Sequence, residues 1–251
     1  MQIYSLHTGN FKLDGGAMFG VVPKSIWNKT NPADENNLCT WALRCMLIVS
    51  GDRTILIDTG MGNKQDAKFF SHYQPTETKT IAEALAQHGF KPADITDVLL
   101  THLHFDHVGN NHLFENAKFI VQRDELPQGI VPPHFCMFYY PEYSYKILEI
   151  KDRLVVIDGD YELADGIRLL KIGGHTPGCM VTLVDTEIGT VCLTSDVMYN
   201  YRNLQLNWPM GSYWNLQELM KGYDRIHRES SIIIPQHDWE FFEHFPKGVV
   251  G

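Results

Sequence analysis

The sequence predicts a single α/β domain, residues 1–251, whose strands form mixed sheets. Three observations carry this. Short apolar runs of β-type residues recur along the chain and each runs into an Asp or His. Segments of helical periodicity separate some of these runs. Other runs are joined by links too short for a helix, which forces antiparallel neighbours into the sheets.

The first hairpin joins residues 41–49 to 53–57 through Ser50-Gly51-Asp52. TILI at 54–57 then runs into Asp58. Residues 78–90 place Ile81, Ala84 and Leu85 on one helical face and stop near Gly89. DVLLT at 97–101 runs into His102, and IRLLKI at 167–172 runs through two glycines into His175. Residues 179–195 read as a second hairpin turning near Thr186–Gly189, and its return strand ends at Asp196. Residues 214–230 carry a helical stripe of Leu216, Leu219, Met220, Tyr223 and Ile226. SIII at 231–234 leads through Pro235 and Gln236 to His237. Runs rich in Val, Ile, Leu and Thr read as buried strands, so five polar residues at five strand ends are expected on one rim.

Composition narrows the partners. Thirty acidic against 21 basic residues give a net charge of −9, which opposes binding to nucleic acid or to an anionic membrane surface. No apolar run reaches the roughly 18 residues of a membrane span. The five cysteines form no CxxC pair. With no basic-then-apolar leader at the N-terminus, they point to a reducing, cytoplasmic setting.

The chemistry concentrates in Thr101-His102-Leu103-His104-Phe105-Asp106-His107-Val108-Gly109. By overall composition six residues hold about 0.3 His; residues 102–107 hold three, with an Asp. An extended chain puts His102 and His104 on one side, and a following turn swings Asp106 and His107 nearby. Imidazole and carboxylate are ligands for zinc and similar divalent ions. The remaining histidines are expected in packing or surface roles, with His112 and His244 nearest to the ligand motifs.

THLHFDHVGN resembles the HxHxDH signature of the metallo-β-lactamase superfamily, and ILIDTG (55–60), GGHTPG (173–178), TSD (194–196) and PQHD (235–238) follow in the superfamily's order. The resemblance implies an αββα sandwich of two mixed sheets with helices outside and two metal ions at one edge. It implies His102, His104 and His175 on one ion, Asp106, His107 and His237 on the other, and Asp196 bridging both beside a water or hydroxide. Asp58 would orient the cluster from behind. Zinc is the first expectation for the ions, with iron, manganese and cobalt also compatible.

Within the superfamily the sequence is most similar to the N-acyl homoserine lactonase-like group: HTPG follows the third strand motif, Tyr199 stands three residues after Asp196, and His237 is paired with Asp238. That likeness implies lactone or ester hydrolysis by attack of the bridging hydroxide. Tyr199 would assist the carbonyl oxygen and Asp106 would deliver a proton to the leaving group. One departure is Cys179, where many relatives carry a second histidine. A small-molecule substrate is expected, walled by three aromatic stretches, 15–27, 132–145 and 199–214, with Met18, Phe19, Phe138 and Trp208 as pocket candidates. Arg202 reads as a solvated loop arginine. Phosphotriesterase and glyoxalase-II-like thioesterase activities fit the same ligands, and a di-iron or mono-iron redox enzyme is the alternative from another class. Monomer and homodimer stay open.

Overall fold

The computed structural model describes residues 1–140 and 146–251. Its larger sheet has seven strands in the order β12-β1-β2-β3-β4-β5-β6. These are β1 (Gln2–Asp14), β2 (Leu38–Ser50), β3 (Arg53–Ile57), β4 (Asp97–Leu100), β5 (Lys118–Gln122), β6 (Leu154–Ile157) and β12 (Val249–Val250). Strands β12, β1, β2 and β3 pair antiparallel, whereas β3 through β6 run parallel. The second sheet has the order β11-β10-β9-β8-β7. It comprises β7 (Tyr161–Ala164), β8 (Ile167–Lys171), β9 (Met180–Thr186), β10 (Gly189–Leu193) and β11 (Ile232–Ile234), with β10 and β11 parallel and the rest antiparallel.

Period-two alternation makes the sandwich. Met46, Ile48, Ile55, Ile57, Leu99 and Ile120 of the larger sheet form one buried cluster with Ile167, Leu169, Met180, Val184, Val191 and Ile234 of the smaller. Their neighbours in sequence point the other way. Leu47, Leu56, Val98, Leu100 and Phe119 pack against Ile81, Ala84 and Leu85. Leu170, Val181, Leu183 and Cys192 pack against Leu219, Tyr223 and Ile226. Strands buried on both faces are why the sequence shows continuous apolar runs.

The two outer helices lie where the periodicity put them. One covers Ile81–Ala86, closed at its start by a reciprocal capping box between Thr80 and Glu83. The other covers Leu216–Glu229, capped by Asn215. Helices are numbered here as α1 (Gly15–Phe19), α2 (Lys24–Trp27), α3 (Ala67–Tyr73), α4 (Ile81–Ala86), α5 (Phe105–Val108), α6 (Leu126–Ile130), α7 (Tyr201–Leu206), α8 (Leu216–Glu229) and α9 (Phe241–His244).

The sequence reading did not single out β1. A register shift between His7 and Gly9 breaks its alternation, so no clean period of two survives over its 13 residues. Residues 15–27, one of the three stretches expected to wall the pocket, hold α1 and α2, and the Asp14 carboxylate caps α1 by accepting from the Ala17 amide at 2.9 Å.

Candidate metal centre

The sheet ends deliver the ligands. β4 stops at Leu100, the chain bends at Thr101, and after an extended His104 the short helix α5 carries Asp106 and His107. The neighbouring loop after β3 is pinned against this turn: the Gly109 amide donates to the Gly60 carbonyl at 2.7 Å and the Thr59 amide to the His107 carbonyl at 2.6 Å. Only glycine fits at 109, since a Cβ there would lie 1.9 Å from the Met61 carbonyl oxygen. His175 follows β8, Asp196 follows β10 and His237 follows β11.

Two groups of donor atoms result, His102–His104–His175–Asp196 and Asp106–His107–His237, each with its ligand atoms within 4.8 Å of one another and all buried. Asp196 joins them. Its Oδ1 lies 2.9 Å from His237 Nε2 and 3.2 Å from His107 Nε2; its Oδ2 lies 3.4 Å from His175 Nε2 and 3.7 Å from His102 Nε2. Asp106 Oδ2 stands 3.4 Å from His107 Nε2 and 3.7 Å from His237 Nε2.

The far nitrogens are anchored. His237 Nδ1–H donates to the Ala42 carbonyl at 2.8 Å, His175 Nδ1–H to the Ser212 carbonyl at 2.9 Å, and His107 Nδ1–H to Asp58 Oδ2 at 2.8 Å. These partners only accept, so each ring carries a proton on Nδ1 and presents its Nε2 to the cluster. His102 and His107 Nε2 are buried without a hydrogen-bond partner. Buried polar atoms are normally paired, and this set of imidazole nitrogens and carboxylate oxygens is the donor chemistry that two divalent cations take.

Electrostatics divide the rings. Burial, with neighbouring histidines, holds His102 and His104 well below the usual histidine range, and burial likewise lowers His175. Burial also opposes charge on His107 and His237, but Asp196 and Asp106 outweigh it and raise both. Asp196 resists burial because His107, His237 and His102 hold it ionised.

Asp58 sits at φ 60°, a left-handed conformation that Asp tolerates better than most residues. Its carboxylate accepts from the Thr101 amide at 2.9 Å, the Thr101 hydroxyl at 2.9 Å and the Gln236 amide at 3.2 Å, besides His107. It therefore faces no open site and ties three loops together.

A cavity of about 270 Å³ opens onto the cluster, lined by His104, Asp106, Asp196 and Tyr199 at its base and by Phe11, Met18, Tyr73, Phe138 and Tyr139 on its walls. Tyr199 stacks on His237 with ring centroids 5.1 Å apart and lines the cavity together with Asp196. Of the four pocket candidates, Met18 and Phe138 line this cavity. Phe19 is stacked on Trp27 at 4.8 Å, and both Phe19 and Trp208 border a separate apolar cavity with Pro209, Met210 and Tyr213. Of the 132–145 stretch, residues 141–145 lie outside the described residues; His134–Tyr139 form a 3₁₀ turn. Arg202 is exposed and bonds Gln205, Cys179 is fully buried, His112 borders another cavity and His244 packs on Tyr201. His72, expected in a packing or surface role, is exposed and lies on the rim of the metal-site cavity.

Sequence reasoning passed over four supports. Gln236 stands inside a quoted motif, and Thr101 ends a quoted strand. Arg44 lies mid-strand, and its Nη1 donates to the carbonyls of Gln236 and Asp238 at 2.9 and 2.8 Å, on either side of His237. Glu125 is buried between two ligand loops, and burial pushes its carboxyl up to about 7. Neither Arg44 nor Glu125 has a local signal.

Residues 43–226 match the Metallo-beta-lactamase superfamily. The chain belongs to this superfamily. Among its relatives, an N-acyl homoserine lactonase of Bacillus thuringiensis is 30% identical over 256 residues, covering 95% of this chain and 94% of the relative. The solved structure of a probable metal-dependent hydrolase from Staphylococcus aureus superposes with TM-score 0.87 at 28% identity, over 94% of this chain and 88% of the other. An N-acyl homoserine lactone hydrolase with N-hexanoyl-L-homoserine at its catalytic metal centre gives TM-score 0.77 at 25% identity, over 98% of both chains. The superfamily's paired sheets and helices are those described above, and its lactonase members span nearly the whole of this chain. No helix among the described residues is long and apolar enough to cross a membrane.

Proposed function

We propose that this superfamily member is a dinuclear metal-dependent lactonase acting on a small acylated lactone, with zinc as its metal. The observation that carries the reading is the pair Asp196 and Tyr199. Asp196 turns one oxygen to each histidine group, and the Tyr199 phenol stands beside it at the base of an apolar cavity. The similarity to N-acyl homoserine lactonases over nearly full length supports the substrate class.

His102, His104 and His175 would hold one ion, Asp106, His107 and His237 the other, and Asp196 both. When bound, two divalent ions activate water as a nucleophile at neutral pH and withdraw charge from the carbonyl oxygen. The chain supplies the rest. Met18, Tyr73, Phe138 and Tyr139 hold the acyl portion and keep bulk water out. The Tyr199 hydroxyl donates to the oxygen that gains charge as the ester carbonyl becomes tetrahedral. Burial and Asp196 hold that phenol above its ordinary pKa, so it keeps its proton and acts as a donor. Asp106 stands at the cavity base as a carboxylate, placed to take up the proton that the attacking water gives up and to pass it to the departing alkoxide. Five free cysteines, four of them buried, accord with a reducing cytoplasmic setting.

The test is proton release, followed with a pH indicator, when zinc-loaded protein meets a medium-chain N-acyl homoserine lactone. Release is expected, and it should vanish in His102→Ala and Asp196→Asn. Protein holding two metals that releases no proton from lactones, yet cleaves a phosphotriester or thioester, would overturn the lactonase reading.

A further inference from the structure

Glu125 has no part in the chemistry above, yet it is fully buried against the metal centre. It closes a short 3₁₀ turn, Arg123–Glu125, at the end of β5. Because β4 and β5 are parallel neighbours, this turn emerges beside the loop carrying His102 and His104. One carboxylate oxygen, Oε2, accepts from the Leu103 amide at 3.2 Å. The other, Oε1, accepts from the Gly178 amide at 2.7 Å and the Thr176 hydroxyl at 2.5 Å. Leu103 lies between His102 and His104, and Thr176 follows His175. The side chain thus spans the two loops that carry one histidine group.

The fit is close. A Cβ at Gly178 would stand 2.9 Å from both Glu125 Cγ and the Glu125 amide nitrogen, so the glycine of HTPG lets the loop reach the carboxylate. The Leu103 and Gly178 amides can only donate, and the Thr176 hydroxyl is placed to donate as well, so both carboxylate oxygens serve as acceptors here. Burying such a group is unfavourable unless it is fully hydrogen-bonded, and here both oxygens are engaged.

We propose that Glu125 is a positioning residue for one metal site: it fixes the separation of the His102–His104 loop from the His175 loop and so sets that site's affinity, leaving the Asp106–His107–His237 site alone. This rests on the two-site assignment above. The isosteric Glu125→Gln variant isolates the effect, since its amide nitrogen must face one donor and break that bridge.

The experiment is titration of metal-free protein with Co²⁺, followed by its visible absorption and by competition with a chromogenic chelator. His175→Ala and His237→Ala identify which binding step belongs to which site. In folded Glu125→Gln, the step lost in His175→Ala is expected to weaken by about tenfold or more and its cobalt spectrum to change, while the step lost in His237→Ala stays as in wild type. If Glu125→Gln does not fold, Thr176→Val removes one donor of the three, and the same one-sided loss is expected at smaller size. Wild-type steps at both sites, or an equal loss at both, would overturn the role of Glu125. Wild-type protein that binds fewer than two cobalt ions would instead bring down the two-site assignment, and this inference with it.

Discussion

Asp58 Oδ2 lies 2.8 Å from His107 Nδ1, with both side chains fully buried. The carboxylate sets the tautomer of the ring, and Thr101 and Gln236 hold the carboxylate. Asn at 58 keeps the left-handed backbone, since Asn also adopts that conformation readily. It does not keep the bonding, because one of its two ends must face an existing donor. Asp58→Asn is therefore expected to fold normally and to lose metal affinity at the His107 site by about 10- to 100-fold, read by chelator competition. Unchanged affinity would mean that the ring is oriented by packing alone.

Asp196→Asn tests the bridge. The variant retains one oxygen and swaps the other for an amide nitrogen, which has no lone pair for a cation. Elemental analysis should find metal content falling from two ions toward one per chain. Turnover should fall by about a hundredfold or more, equivalent to roughly 2.7 kcal/mol of barrier. Two ions retained at wild-type affinity would show that Asp196 does not bridge.

Tyr199→Phe separates stacking from hydrogen bonding. The ring keeps its place on His237 while the donor is lost. If the phenol assists only as the carbonyl oxygen gains charge, kcat falls by about 10- to 100-fold with KM nearly unchanged. A rise in KM alone would make Tyr199 a binding residue.

The ligands were legible because each stands at the end of a buried strand, where an apolar run stops at an Asp or His. That pattern is local, so His102, Asp196 and His237 could be read one after another. Their supports are not local. Glu125 meets Thr176 across 51 residues and Arg44 meets Gln236 across 192, and neither residue type is unusual in its own neighbourhood. The pocket walls were only partly legible for a related reason. Phe19 and Trp208 share the aromatic character of Met18's and Tyr199's surroundings, but which way each points depends on the turns of α1 and α7. The bulge at Gly9 likewise hid a strand that flanks the site.

Arg44 supplies a stability test. Its Nη1 satisfies two carbonyls around His237, and its guanidinium lies 4.5 Å over the Phe241 ring. Arg44→Met leaves both carbonyls without that donor, at about 1–3 kcal/mol each, and partly offsets this by removing a buried charge. The expected net loss is roughly 2–4 kcal/mol, read as a lower urea midpoint, with weaker metal binding at the His237 site. A stability equal to wild type would mean that desolvation of the guanidinium cancels its bonds.

His7 gives a pH test. It stands opposite Arg44 in the β1–β2 ladder, its Nδ1 is buried without a partner, and its ring meets Phe242 edge-on at 6.0 Å. Burial first, then the charges of Arg44 and Lys79, pushes its pKa from 6.5 down to about 4. The folded chain therefore keeps His7 neutral while the unfolded chain takes up a proton below about pH 6.5. Between these values the unfolded state binds more protons, so stability rises with pH. The contribution is complete above about pH 6.5 and is lost as the pH falls toward 4. Urea unfolding of metal-free protein should show a larger drop from pH 7.5 to pH 5 in wild type than in His7→Gln, whose side chain does not titrate. The difference between the two proteins cancels the titration of the metal-site histidines common to both. Equal drops would place the acid sensitivity of this fold elsewhere than His7.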